Sequence, residues 1–348
     1  MPLPPLIGHE RVKTKLAGAH ASGKLPQALL LAGPRGVGKQ RLALWLAQLI
    51  HCEAPGQEPC GQCRSCRLVV SLQHPDVHWF VPVELSKRSG TSTGDADKQV
   101  DLAAEALAEE MAARREQPLY GPPAGLASHP VASVRLLLKR LALTPAMGTR
   151  KVFIVGDAER LIPQLGTEVA ANALLKALEE PPADSVIIIT AADPNALLPT
   201  IMSRVVLVRV ARIADSDVTA FAQQTLGVVS QAELAQRVAA AEGCIGKLFA
   251  TALSRSGQPA DEQVGRFLEA PWLFALGQVP FQARGGFTDM LDALATRLRS
   301  EAKRGGDTDK LVEAIALVLD ARDLAQGNVN PQLLAAVLAE DLQAMRRS

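Results

Sequence analysis

The chain has 348 residues, long enough for two or three domains, and 48% of them are hydrophobic, which excludes a wholly disordered protein. Thirty-seven basic residues against 36 acidic ones leave a net charge of +1, too even a balance for a protein that grips DNA alone, and 3% aromatic content provides too few rings for a single-strand stacking platform. The N-terminus, MPLPPLIGHERVK, lacks the apolar segment of a signal peptide, and no apolar run approaches the roughly 18 residues that cross a membrane. A cytoplasmic protein without a membrane partner is therefore expected, with its five cysteines reduced.

Residues 28–32, ALLLA, form a short apolar run between Pro26 and a glycine-rich stretch, the pattern of a buried parallel strand. The stretch LAGPRGVGKQRLA (31–43) follows, with Gly33, Gly36, Gly38 and Lys39 placed as in a phosphate-binding loop, G-x-x-x-x-G-K-[ST]. Position 40 should carry the hydroxyl that holds Mg²⁺, but it is Gln40. QRLALWLAQLI then has the apolar spacing of a helix. Strand, loop and helix stand in the order that a phosphate cradle requires.

Cys52, Cys60, Cys63 and Cys66 come next, spaced C-x7-C-x2-C-x2-C in a loop marked by Pro55, Gly56, Pro59 and Gly61. Four soft ligands at this spacing suit a tetrahedral Zn²⁺, and four thiolates leave no open position, so the ion would be structural. His51 and His74 are possible substitute ligands, and four unrelated thiols in a loop is the alternative. Cys244 has no partner and reads as a small buried side chain.

Residues 84–128 differ in texture. They hold the polar SKRSGTSTGDADK, the charged helix-like AAEALAEEMAARRE and the cluster GPPAG, and they read as a solvated surface insertion. KVFIV (151–155) and SVIII (185–189) are strand-like, and between them EVAANALLKALEE reads as a helix stopped by Pro181 and Pro182. The alternation predicts a doubly wound parallel α/β domain ending near residue 210. Beyond it VTAFAQQTL, AELAQRVAAAEG and LLAAVLAEDLQAMR are helical, and SRSGQPAD is linker-like. The expected domains are 1–210, including the cysteine module at 50–70 and the insertion, then a small helical domain at 211–252 and a second helical domain at 253–348.

Taken together, PQALLLAGPRGVGK, the four-cysteine loop, HPD (74–76), KVFIVGDAERL, NALLKALEEPP and LLPTIMSR resemble bacterial clamp-loader subunits. These are AAA+ proteins of the DNA polymerase III holoenzyme that place a sliding clamp on primed-template DNA. The resemblance covers roughly residues 6–75 and 131–210. It implies a RecA-like P-loop domain followed by a lid and an all-α collar, within a hetero-oligomer.

Inside that family the choice lies between the hydrolysing gamma/tau type and the delta-prime type, which in many bacteria does not hydrolyse ATP. Aligned on the family's metal-binding strand motif, Gly156 takes the Asp position and Asp157 the Glu position; a one-residue slide makes Asp157 the metal ligand and leaves Ala158 as base. Gly246, in Gly243-Cys244-Ile245-Gly246, stands where family motors carry a γ-phosphate-contacting Arg. Thr190 matches the polar γ-phosphate sensor. Gln40, Gly156 and Gly246 together point away from Mg²⁺-dependent hydrolysis, although Gly33, Gly36, Gly38 and Lys39 could still seat an anion. Ser203 and Arg204 match the family's Ser-Arg-Cys motif, with Val205 at the Cys position. The resemblance makes Arg204 an arginine finger for a neighbour's ATP site, a task that suits a permanently charged, bidentate guanidinium.

A delta-prime-type subunit partnered by delta and gamma/tau is thus the leading expectation, with a structural Zn²⁺ and no working ATP/Mg²⁺ site. An active gamma/tau-type motor using Gln40 and Asp157 is the alternative. A zinc-module nucleic-acid binder is the third reading, and the charge balance argues against it.

Overall fold

The computed structural model describes residues 3–83, 96–117, 127–161, 168–225, 230–249, 260–270, 274, 276, 286–303, 307–325 and 330–347. The polar start of the insertion, the GPPAG cluster and all but the last two residues of SRSGQPAD lie outside them. The described residues divide into two compact units, those up to 249 and those from 260 on.

The first unit is built on one parallel sheet of order β2-β3-β4-β1-β5. Its strands are β1 (Ala28–Ala32), β2 (Val77–Phe80), β3 (Lys151–Val155), β4 (Ser185–Ala191) and β5 (Val206–Arg209). In β1, β3 and β4 every residue is buried, as expected where helices cover both faces of a parallel sheet. Leu30 pairs with Ile189 on one side and with Leu207 on the other, so β1 is an inner strand between the central β4 and the edge strand β5. β2 and β5 are absent from the sequence reading because each has only four residues. β5 is also an edge strand that leaves Val206 half exposed, so it shows neither alternation nor a buried run.

Around the sheet stand α1 (Glu10–Ala21), α2 (Lys39–His51), α3 (Arg64–Val70), α4 (Ala96–Glu116), α5 (Val131–Leu141), α6 (Val169–Glu179) and the single turn α7 (Pro199–Met202). α6 ends where Pro181 and Pro182 stop the helical pattern. The expectation of a merely solvated insertion needs correction at α4. Val100, Ala103, Ala106, Leu107 and Arg114 are buried, and the helix packs along α5. Backbone bonds between Val83 and Ser128 in both directions (2.9 and 3.3 Å) tie the neck of the insertion to the domain.

α8 (Asp215–Thr225) and α9 (Gln231–Ala241) pack on each other and complete the first unit with a 3-10 turn at Ile245–Phe249. In the second unit the described residues form α10 (Ala260–Glu269), α11 (Gly286–Lys303), α12 (Thr308–Ala325) and α13 (Pro331–Arg347). These helices have a core of their own, centred on Val264, Phe267, Phe274, Met290, Leu294 and Val318. Among the described residues no helix is long and apolar enough to cross a membrane.

Candidate functional site

The glycine loop leaves the carboxyl end of β1, beside the point where the chain order reverses between β1 and β4. In open α/β sheets that crevice is where ligands sit. Gly33 is required there: a Cβ would lie 2.2 Å from the Val210 carbonyl oxygen. Gly36 (φ +78°) and Gly38 (φ +104°) take left-handed backbone conformations that bring the chain into α2. Lys39 is buried, and its ammonium folds back onto the Gly33 and Pro34 carbonyls at 2.7 and 2.9 Å. Burial lowers its pKa, with Asp157 and Glu159 pulling the other way.

Two further groups close on the loop. The His9 ring shares a hydrogen bond with the Val37 carbonyl through Nε2 at 2.9 Å; a carbonyl can only accept, so Nε2 carries the proton. The Gly246 amide donates to the Gly36 carbonyl at 2.8 Å, and a Cβ on Gly246 would stand 2.7 Å from the Gly36 Cα. Gly246 is therefore packed backbone to backbone against the loop tip. Cys244 beside it is fully buried.

Gln40 lies in the first turn of α2 and reaches across to β3. Its Nε2 donates to Asp157 Oδ2 at 2.9 Å, and its Oε1 accepts from Arg114 Nη1 at 3.3 Å. A carboxylate only accepts and a guanidinium only donates, so both contacts select the same amide orientation. Gly156 makes room for this amide: a Cβ there would meet Gln40 Nε2 at 2.9 Å. Arg114 is 3% exposed, pairs with Glu110 at 3.0 Å and stacks its guanidinium 4.3 Å over the Trp79 ring. This set does not fit a Mg²⁺·nucleotide centre. Position 40 carries an amide already engaged, the Asp157 carboxylate is bonded to it, and the Arg114 cation stands beside them.

The remaining strand-end groups hold this arrangement. Asp157 has a left-handed φ of +51°, and its amide donates to Thr190 Oγ1 at 3.1 Å. Thr190, matched in sequence to a γ-phosphate sensor, is fully buried and serves that turn. His129 Nε2 bonds the Gly156 carbonyl at 2.7 Å, and burial pushes this imidazole down to about 4, so it is neutral and donates. Burial and the neighbouring Asp157 raise the pKa of Glu159, whose Oε1 accepts from the Ala192 amide at 3.3 Å.

Arg204 lies elsewhere, just after α7. Its Nη2 meets Glu179 Oε1 at 2.5 Å, and its Nη1 donates to the Thr200 carbonyl at 2.9 Å and to Ser203 Oγ at 3.2 Å. The side chain is about one-third exposed. Val205 packs against the core where the motif has Cys.

The four cysteines converge as their spacing predicts. All four sulfurs lie within 4.8 Å of one another, close to the roughly 3.8 Å edge of a tetrahedron with Zn–S bonds of about 2.3 Å. Backbone amides of Cys60, Cys63 and Cys66 point at the sulfurs of Cys52, Cys60 and Cys63, each at 3.3 Å. Amide contacts from Cys63 and Gln62, with Cys52, bring the Cys60 thiol down to about 6, and burial pushes Cys66 up. The cluster can hold a metal ion. His51 and His74 take no part; their rings stack on each other at 4.1 Å. Glu58, inside the loop, accepts from Trp45 Nε1 on α2 at 2.5 Å and from Lys13 on α1 at 2.8 Å, binding the module to the domain.

Sequence reasoning missed Arg114. The signal was available: Val100, Ala103, Leu107 and Arg114 share one helical stripe, so a cation stood at a core position. Glu58 carried no comparable signal, because its partners are distant in sequence.

A parallel sheet of this order, with a glycine loop from the inner strand β1 into a helix, defines a P-loop module of AAA+ type. The family model described as DNA polymerase III, delta subunit matches residues 8–214, and the chain belongs to that family. A DNA polymerase III subunit delta' of Pseudomonas aeruginosa is 34% identical over 51% of this chain and 41% of its own length. A DNA polymerase III subunit tau of Salmonella typhimurium is 29% identical over 57% of this chain and 24% of its own. The chain thus spans less than half the length of either relative. A gamma subunit-related protein of Thermotoga maritima, solved by crystallography, aligns over 98% of this chain and all of its own at a TM-score of 0.46 and 17% identity. The fold assignment stands on the sheet order and the loop.

Proposed function

We propose that the chain is a non-hydrolysing, delta-prime-type subunit of the bacterial replicative clamp loader. It would assemble in the cytoplasm with delta and gamma/tau, help place the sliding clamp on primed-template DNA, and lend Arg204 to the ATP site of a neighbour. The observation that carries this reading is the Gln40 amide bound to Asp157 across Gly156, which takes the place of two metal anchors that phosphoryl transfer needs. The 34% identity to a delta' subunit supports it. Arg204 fits a finger because its guanidinium is partly exposed and oriented by Thr200, Ser203 and Glu179.

The purified chain should show no Mg²⁺-dependent ATP turnover above background. In an assembly reconstituted with gamma/tau and delta, Arg204→Ala should slow hydrolysis by roughly 10²-fold or more, in line with arginine fingers elsewhere. Turnover by the isolated chain that Lys39→Ala abolishes would instead establish the gamma/tau-type motor, the reading that similarity to a tau subunit favours. We further assign the cysteine cluster one structural Zn²⁺, held by Cys52, Cys60, Cys63 and Cys66.

A further inference from the structure

The charged helix of the insertion ends inside the P-loop site, and the geometry points to a role for it: α4 supplies Arg114 as a built-in cation which, with the Gln40 amide, replaces the divalent metal and latches the loop, β3 and α4 together. This extends the functional reading above without depending on it, because a latch is tested by coupling within the chain and not by hydrolysis.

Three independent features support the latch. The contacts form a directed chain, Arg114 to Gln40 Oε1 and Gln40 Nε2 to Asp157 Oδ2, in which each donor faces an acceptor. A positive guanidinium at one end and a carboxylate at the other polarise the amide between them, so each bond strengthens the next. The steric fit is specific, since the glycine at 156 leaves the space that the amide fills. Arg114 is also anchored from three sides, by Glu110, by the Trp79 ring and by near-complete burial, so it is positioned and not merely passing. A divalent ion bridging the loop helix to the β3 carboxylate would have to displace an amide bonded at both ends and then sit beside a fixed positive charge. Asp157 is itself tied to β4 through Thr190, so the latch spans α4, α2, β3 and β4.

The test uses the full-length purified chain. Hydrogen exchange is followed in α4 and at residues 155–158, together with the melting temperature. Gln40→Ala should raise exchange within Ala96–Glu116, although it alters no residue of that helix, and lower the melting temperature by about 3–8 °C. Arg114→Met should raise exchange at 155–158, and the double variant should be no worse than the more severe single. Additive losses, or α4 protection unchanged in Gln40→Ala, would overturn the latch. Should Arg114→Met fail to fold, Gly156→Ala serves instead. Its Cβ should dislodge the amide and loosen α4 when Gln40 is present, and leave α4 unchanged in the Gln40→Ala background; equal effects in both backgrounds would refute the proposal. Mg²⁺ with ADP is the final probe. It should leave the wild-type melting temperature unchanged, and a metal-dependent rise in the wild type equal to that in Gln40→Ala would show that the amide does not hold the metal's place.

Discussion

Asp76 illustrates how much one side chain of a recognised tripeptide can do. Its carboxylate accepts the backbone amides of Ala146, Met147 and Gly148 at 2.5, 2.7 and 2.9 Å, fixing the loop that leads into β3. Burial works against its charge, but the three amides and His74 outweigh it and hold the carboxyl below the usual range. A depressed carboxyl stabilises the fold at every pH above its unfolded value and stops doing so as pH falls through the lowered one. Asp76→Ala should therefore cost about 3 kcal/mol at pH 7, read from urea unfolding, with a smaller difference from wild type below pH 4. At the loop tip, placing an arginine at position 246 should fail on steric grounds. Gly246→Arg forces a Cβ onto the Gly36 backbone, so it should lower the melting temperature by several degrees and restore no nucleotide affinity, measured by calorimetric titration.

Among the elements, those legible in the sequence were the ones whose reason for existing is local. ALLLA and KVFIV are wholly buried strands and read as unbroken apolar runs, and α6 carries its own stop in Pro181 and Pro182. β2 and β5 were not legible, because four residues set no period and an edge strand has no buried run to display. The cysteine module was legible because four thiols able to share one metal ion fall within fifteen residues. About one equivalent of zinc is expected by metal analysis. Cys60→Ser with Cys63→Ser should abolish it and perturb the Trp45 environment through Glu58, seen as a fluorescence shift; metal content unchanged in the double variant would refute the site. α4 was half legible. Its periodicity marked a helix, but its packing on α5 and the destination of Arg114 depend on contacts made far away in sequence.

The whole molecule unites two separately cored units, so heat should unfold it in two calorimetric transitions. Cys60→Ser should shift only the one that belongs to the first unit. Acid should act on that unit early. Burial drives His78 and His129 down to about 4, whereas unfolded imidazoles titrate near 6.5. Their native forms therefore refuse protons that the unfolded chain accepts, and stability present above about pH 6.5 is lost as pH falls toward 4, by up to roughly 3 kcal/mol for each residue. Urea midpoints measured at pH 7.5 and 5 should separate accordingly, and His129→Gln should narrow the gap. From residue order alone one obtains the P-loop module, the helical remainder, the four-cysteine cluster and the suspicion that Gln40, Gly156 and Gly246 belong together, because local periodicity and cysteine spacing are properties of neighbours along the chain. That Gln40 is bonded to Asp157, that Gly156 leaves its space and that an arginine 74 residues away completes the set could emerge only from folding. Hydrogen bonds and excluded volume act between atoms that are close in space, and no pattern along the backbone records which distant helix will bring a charge to them.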